Sequence, residues 1–231
     1  MKIIRADKRH FSDQGWLKTF WLFSFADYYD PDNVRHGALR VFNDDIVEAG
    51  EGFGTHPHKE MEIVTIILSG EITHTDSMGN DHLLKAGEVQ RMSAGTGITH
   101  SEFNRSTKAL HLFQIWIEPG TSGLTPSYEQ RAFDPADSVN NLLPVVSGQE
   151  LEGALNIHSD SSIFISTLNS DSGLNYKSEA GRAIFIYVVG GEVEVNGQRL
   201  LTCDQARLEG AANISITARE DSSLVLIDSI V

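Results

Sequence analysis

The apolar residues of this chain fall in short runs that never settle into a long helical period, and most runs stop at a glycine, asparagine or aspartate. Ile63–Leu68 is rich in β-branched residues and ends at Ser69-Gly70. Glu71–Thr75 then runs into Ser77-Met78-Gly79-Asn80, the pattern of a hairpin. Leu110–Ile117, Ala183–Val189, Glu192–Val195, Ile214–Thr217 and Leu224–Ile227 repeat the theme. Many short strands joined by tight turns predict an all-β chain, folded as a sandwich or a barrel.

Proline marks the internal boundary. Pro119, Pro126, Pro135 and Pro144, four of the six prolines, fall between Glu118 and Ser147. Such a segment reads as an irregular connector across a surface. It divides the chain into residues 1–120, a connector at 121–145, and residues 146–231. A weak repeat links the two larger parts. Ile66-Ile67-Leu68-Ser69-Gly70-Glu71-Ile72 is echoed by Tyr187-Val188-Val189-Gly190-Gly191-Glu192-Val193. Each is an apolar strand, a glycine turn, then Glu and a β-branched residue. The repeat favours two similar barrels over one large sandwich.

Charge excludes several partners. Against 18 Lys and Arg stand 32 Asp and Glu, a formal net charge of −14, spread along the chain rather than packed into a tail. Nucleic acid requires a basic footprint to replace counterions, and an anionic membrane surface repels this chain for the same reason. The longest strongly apolar stretch, Ala183–Val189, is far short of the roughly 20 residues that span a bilayer. With one cysteine, Cys203, the chain forms no internal disulfide and offers no thiolate zinc site. Met1–Asp7 has no apolar leader core, and a cytoplasmic location is expected.

The residues that carry chemistry are histidines. His56-Pro57-His58 sets two imidazoles at i and i+2, on one face of an extended strand. If that strand continues, Glu60 and Glu62 share the face. His100-Ser101-Glu102 is a second same-face pair. Gly50, Gly52 and Gly54 precede the first pair and Gly95 and Gly97 the second, allowing close backbone approach. Two such pairs on facing strands would gather three imidazoles and a carboxylate, a donor set for Fe(II), Ni(II), Cu(II), Mn(II) or Zn(II). The second half has no counterpart, since His158 lacks a spaced partner. His74, His82 and His111 read as structural or solvent-exposed, and His10 and His36 as surface residues. Trp16, Trp21 and Trp116 read as core or interface fillers, and Cys203 as inert.

These stretches also carry a family likeness. Gly52-Phe53-Gly54-Thr55-His56-Pro57-His58-Lys59-Glu60-Met61-Glu62, followed by Gly70, resembles the first cupin motif. Gly87 through Ser93-Ala94-Gly95 to His100 and Asn104 resembles the second. Trp21–Pro31, Leu39–Asp45 and Met92–Glu102 are similar, more narrowly, to the pirin family of two-cupin proteins. The resemblance covers most of residues 15–133, and the second half matches in outline only. It implies two cupin (jelly-roll-like) β-barrels in one chain, with a single metal in the N-terminal barrel held by His56, His58, His100 and Glu102. The second motif departs from the general cupin pattern, with Ser93 where proline is usual and two extra residues before His100. In most cupins the carboxylate ligand is the motif-one Glu, here Glu62. In pirins it is the Glu two residues after the last histidine, here Glu102, which is favoured.

The pirin resemblance further implies flavonol (quercetin) 2,3-dioxygenase activity. Its substrates would be a flavonol and dioxygen, with Glu102 as ligand and catalytic base, and Phe53 could line the pocket. The cofactor expected is one divalent transition metal, iron ahead of nickel, manganese, copper and zinc. A different class competes: pirins described as regulators whose metal tunes a protein-binding surface. The acidic surface is compatible with a basic protein partner.

Overall fold

The computed structural model describes residues 1–210 and 212–231. Strands dominate, and the helical segments among the described residues are two 3-10 turns, Ala6–Lys8 and Pro135–Ser138. Four sheets form among the described residues. In each half a seven-stranded sheet packs over a four-stranded one and encloses a barrel interior. The two seven-stranded sheets meet back to back through a shared core.

Side-chain alternation builds this arrangement. In Leu39–Val47, Phe42 and Asp44 face the second half, while Asn43, Asp45 and Val47 face the interior of the first barrel. In Leu110–Ile117, Phe113, Ile115 and Ile117 join the shared core, while Leu112, Gln114 and Trp116 turn inward. Phe42 sits 5.0–5.3 Å by ring centroid from Phe113, Phe185 and Tyr187. Each such buried aromatic contributes about 1.5–3 kcal/mol. At the rim of this core Tyr187 donates its hydroxyl to Asp44 Oδ2 at 2.8 Å. Arg9 reaches the same oxygen at 3.1 Å, and His111 Nε2 lies 2.6 Å from Asp44 Oδ1.

The sequence repeat has a structural counterpart at its glycines. Gly70 and Gly191 adopt φ of 84° and 85° at equivalent turns. A Cβ at Gly70 would sit 2.9 Å from the Leu110 Cα, and one at Gly191 2.5 Å from the Asp221 carbonyl oxygen. Both turns therefore require glycine.

Two edge strands cross the expected unit boundaries. Lys2–Ile4 pairs with Gln205–Glu209, in the sheet of the second half. Ser127–Ala132, within the expected connector, pairs with Glu88–Ser93 of the first barrel. Each seven-stranded sheet is thus extended at one edge by chain from beyond the expected boundary, which covers backbone groups an open edge would expose.

Candidate metal centre

Gly52–His58 and Ile98–Phe103 are neighbours in the first four-stranded sheet, with His100 opposite His56. The register shifts between His100 and Glu102, a bulge of the kind that re-aims side chains beside sites. On its other side Ile98–Phe103 pairs with Glu71–Asp76, placing Glu102 opposite His74. Ligand atoms of His56, His58 and His100 lie within 4.8 Å of one another, as do those of His74, His100 and Glu102. His100 belongs to both groups.

The hydrogen-bond partners orient the rings. His56 Nδ1–H donates to the Gly54 carbonyl at 2.7 Å, which turns its Nε2 toward His100. Burial would raise Asp76, but Asn80, His74 and the Met78 amide hold it below the usual carboxylate range. As a carboxylate it accepts His74 Nε2–H at 3.0 Å. His74 Nδ1 faces His100 Nδ1 at 3.5 Å, and His100 Nε2 lies 3.1 Å from His56 Nε2. His58 Nε2, also buried, has no hydrogen-bond partner.

Burial pushes His100 down to about 4, with Glu102 opposing and His56 and His74 reinforcing. Burial, then His100 and His56, takes His58 to about 4 as well. His58 and His100 are thus neutral near pH 7, and converging imidazole nitrogens are what a divalent cation requires of its ligands, a demand these residues fit.

Glu102 is buried beside His74 and His100. Gln90 Nε2 donates to its Oε1 at 2.6 Å and Gln114 Nε2 to its Oε2 at 3.0 Å. Trp116 Nε1–H in turn donates to Gln114 Oε1 at 3.2 Å, and the Tyr128 hydroxyl lies 3.1 Å from Gln90 Oε1, so both amides are oriented. Burial alone would raise the Glu102 pKa. His100, His74 and the two glutamines outweigh it and hold the carboxyl below its ordinary range. Above the site opens a pocket of about 230 Å³, walled by Trp16, Trp21, Phe25, Phe53 and Trp116, with His56, Glu102 and Gln114 among its polar residues.

Residues 4–117 match the family described as Pirin, and residues 144–229 match the one described as Quercetinase C-terminal cupin domain. A quercetin 2,3-dioxygenase of Escherichia coli (strain K12) is 47% identical over 225 residues, covering 97% of this chain and 96% of that protein. The chain belongs to the pirin family. A pirin-like protein of Caulobacter vibrioides is 43% identical over 96% of the chain and 97% of its own length. Among solved structures, the bacterial pirin YhhW in complex with nickel(II), from Escherichia coli, superposes with a TM-score of 0.94 at 44% identity. The match covers 99% of this chain and 98% of that one. Two cupin barrels in one chain are therefore the family's architecture as well as the observed one.

This pirin departs from the sequence reading at Glu60 and Glu62. The first strand does not continue: it ends at His58, and Glu60 adopts φ 49° and accepts from the Gly123 amide at 3.0 Å. Glu62 begins a strand of the seven-stranded sheet and points away from the histidines, accepting from the Ser93 hydroxyl at 2.7 Å. Ser93, where general cupins place proline, is therefore the partner of the glutamate they use as a ligand. His74, expected to be structural or exposed, is fully buried and joined to His100. Its signal was the His74-x-Asp76 spacing, the same i, i+2 rule applied at His56. Trp16, Trp21 and Trp116 line the pocket rather than merely filling core. His36, expected at the surface, is buried with Nε2 3.1 Å from the Ile184 and Leu208 carbonyls of the second barrel. Among the described residues both metal-capable groups lie in the first barrel.

Proposed function

We propose that this pirin is a metal-dependent flavonol 2,3-dioxygenase acting on quercetin-like substrates with dioxygen. One divalent transition metal would be held by His56, His58, His100 and Glu102. The observation that carries the reading is the set of converging imidazole nitrogens of His56, His58 and His100 near a buried, ionised glutamate at an aromatic-walled pocket. The quercetin 2,3-dioxygenase of Escherichia coli supports the substrate class, and the nickel(II) complex of YhhW supports a divalent ion.

When bound, the metal supplies Lewis acidity and open positions for oxygen donors. The chain's own residues supply orientation, proton transfer and dryness. The reacting hydroxyl of a flavonol must lose its proton before dioxygen attacks, and a carboxylate oxygen of Glu102 takes it. The low pKa keeps Glu102 ionised at neutral pH, at some loss of basicity. Gln90 and Gln114 prevent the carboxylate from rotating away. His74 Nδ1 pairs with His100 Nδ1 and so orients the His100 ring, with Nε2 toward His56. Trp16, Trp21, Phe25, Phe53 and Trp116 offer flat apolar surface to the flavonol rings and exclude water around the deprotonated substrate.

The test is oxygen consumption and loss of flavonol absorbance with quercetin near neutral pH. Metal-stripped protein would be restored separately with Fe(II), Ni(II), Mn(II) or Cu(II). Turnover that returns only on restoration supports the reading and identifies the preferred metal. Bleaching indifferent to metal removal is adventitious oxidation, and the protein-binding regulator would then lead.

A further inference from the structure

The two oxygens of Glu102 are held by arms of different kinds. Gln90 Nε2 holds Oε1 from within the barrel, where it also donates to Thr65 Oγ1 at 2.9 Å. Gln114 Nε2 holds Oε2, and both Gln114 and the Trp116 that backs it line the pocket. Gln114 and Trp116 stand at i and i+2 on Leu110–Ile117, so one strand face brings the amide and the indole to the same wall. An amide turned over would point its oxygen at the carboxylate. The indole prevents this, because Trp116 Nε1–H can only donate and takes Gln114 Oε1 at 3.2 Å. That leaves Gln114 Nε2 for Glu102. The indole is itself fixed. Its ring meets His58 at 4.9 Å and 83°, and Phe25 at 5.4 Å and 82°. Two such edge-to-face contacts set the ring plane, and with it the direction of the N–H.

We propose that Trp116 is a positioning residue with two separable roles: its N–H fixes the Glu102 carboxylate through Gln114, and its ring receives the flavonol. The second role rests on the flavonol reading, and the first does not. The two roles belong to different atoms. The ring offers flat apolar surface, which sets affinity for the substrate. The N–H sets where a carboxylate oxygen stands, and a misplaced base or ligand costs rate and metal affinity rather than ring contact. Trp16 and Trp21 share the pocket wall. Among the described residues, however, the indole that donates to a holder of Glu102 is that of Trp116. Phenylalanine at this position keeps a ring and lacks the N–H, and leucine lacks both.

Three measurements separate the roles. Ni(II) affinity is read by chelator competition without any flavonol. Ring contact is read on Ni(II)-loaded protein with flavone, which has the rings but no hydroxyl to deprotonate, from quenching of Trp16 and Trp21, which every variant retains. Turnover is read with quercetin. Trp116→Phe should lower Ni(II) affinity and kcat about fivefold each, the effect of one neutral hydrogen bond, and leave flavone affinity within about twofold. Trp116→Leu should weaken flavone about tenfold as well. In a Gln114→Met background, Trp116→Phe should cost no further Ni(II) affinity, because its effect passes through Gln114. Unchanged Ni(II) affinity in Trp116→Phe, or the same loss in the Gln114→Met background, overturns the positioning role and leaves the flavonol reading standing. Flavone affinity that falls as far as kcat in Trp116→Phe overturns it too, since ring contact would then explain both. Wild type that binds no flavone and turns over no quercetin overturns the flavonol reading and the ring's role with it, while the Ni(II) cycle decides the N–H separately.

Discussion

The four-stranded sheet of the first barrel turns His56, His58, His74, His100 and Glu102 into one neighbourhood. In the second barrel the strands in the same order place Leu174, Tyr176, Val193, Val195, Ile214 and Ile216 there instead. His100 faces His56 across one strand pair, and Ile214 faces Tyr176 across the matching pair. The second barrel is closed by packing, and the Tyr176 hydroxyl at this level is committed to Asp228. Topology thus supplies a place where strands converge, and side chains alone decide whether that place holds chemistry. The second barrel acts indirectly. Its aromatic face packs behind the strands that carry Asn43, Asp45, Gln114 and Trp116.

The largest effect expected is loss of the metal. His56→Ala or His100→Ala should drop metal content from about one equivalent to near zero by elemental analysis, whereas His158→Ala in the second barrel should retain it. Full retention in either first-barrel variant would erase the functional contrast between the barrels. The two glutamates divide the same way. Glu102→Gln should weaken metal binding and abolish turnover with quercetin. Glu62→Gln, at a side chain that pairs with Ser93 rather than with His56, His58 or His100, should keep most of both. The reverse result would return the carboxylate to the general cupin position.

A smaller effect is expected at His74, which reaches the proposed metal only through His100. His74→Phe preserves the ring that stacks on Tyr128, 4.5 Å away by centroid, but removes the nitrogen that pairs with His100 Nδ1. Partners of this kind are worth about 10–100-fold in metal affinity. A chelator competition that gives wild-type affinity would show that the Asp76–His74–His100 chain orients nothing.

Much of this was legible in the sequence, for reasons that also mark the limits. Strand runs ending in glycine gave the all-β class, and the echo of Ile66–Ile72 in Tyr187–Val193 gave the duplication, because positive-φ turns at Gly70 and Gly191 leave a fixed residue requirement. The histidine pairs were readable because a strand has period two. Glu62 misled for the same reason: the period holds only while the strand does, and the φ of 49° at Glu60 ends it without a glycine to announce it. Gln90 and Gln114 were invisible, since their role depends on pairing between strands far apart in sequence. The exchanged edge strands at Lys2–Ile4 and Ser127–Ala132 were hidden likewise, being too short to declare which sheet they join.

The remaining effect is on stability, and it separates the barrels by pH. In the folded protein Asp45 keeps its proton to about pH 7, chiefly through burial. In the unfolded chain a carboxyl of this type releases it near pH 4. Between those values the folded state binds more protons, so rising pH removes stability from wild type, and the loss is complete once pH passes the folded value. The ceiling on that loss is roughly 4 kcal/mol. The difference in melting temperature between Asp45→Asn and wild type should therefore grow in favour of the variant from pH 4 to pH 7 and level off above. Ser166 provides the comparison in the second barrel. It lies on Ser161–Leu168, the strand that occupies the place of Leu39–Val47, and its hydroxyl is likewise buried without a partner. A serine does not titrate in this range, so any effect of Ser166→Ala should be the same at every pH. A flat Asp45→Asn difference would mean that the carboxyl is already ionised at low pH, and that the polar interior of the first barrel destabilises it no more than the apolar interior does the second.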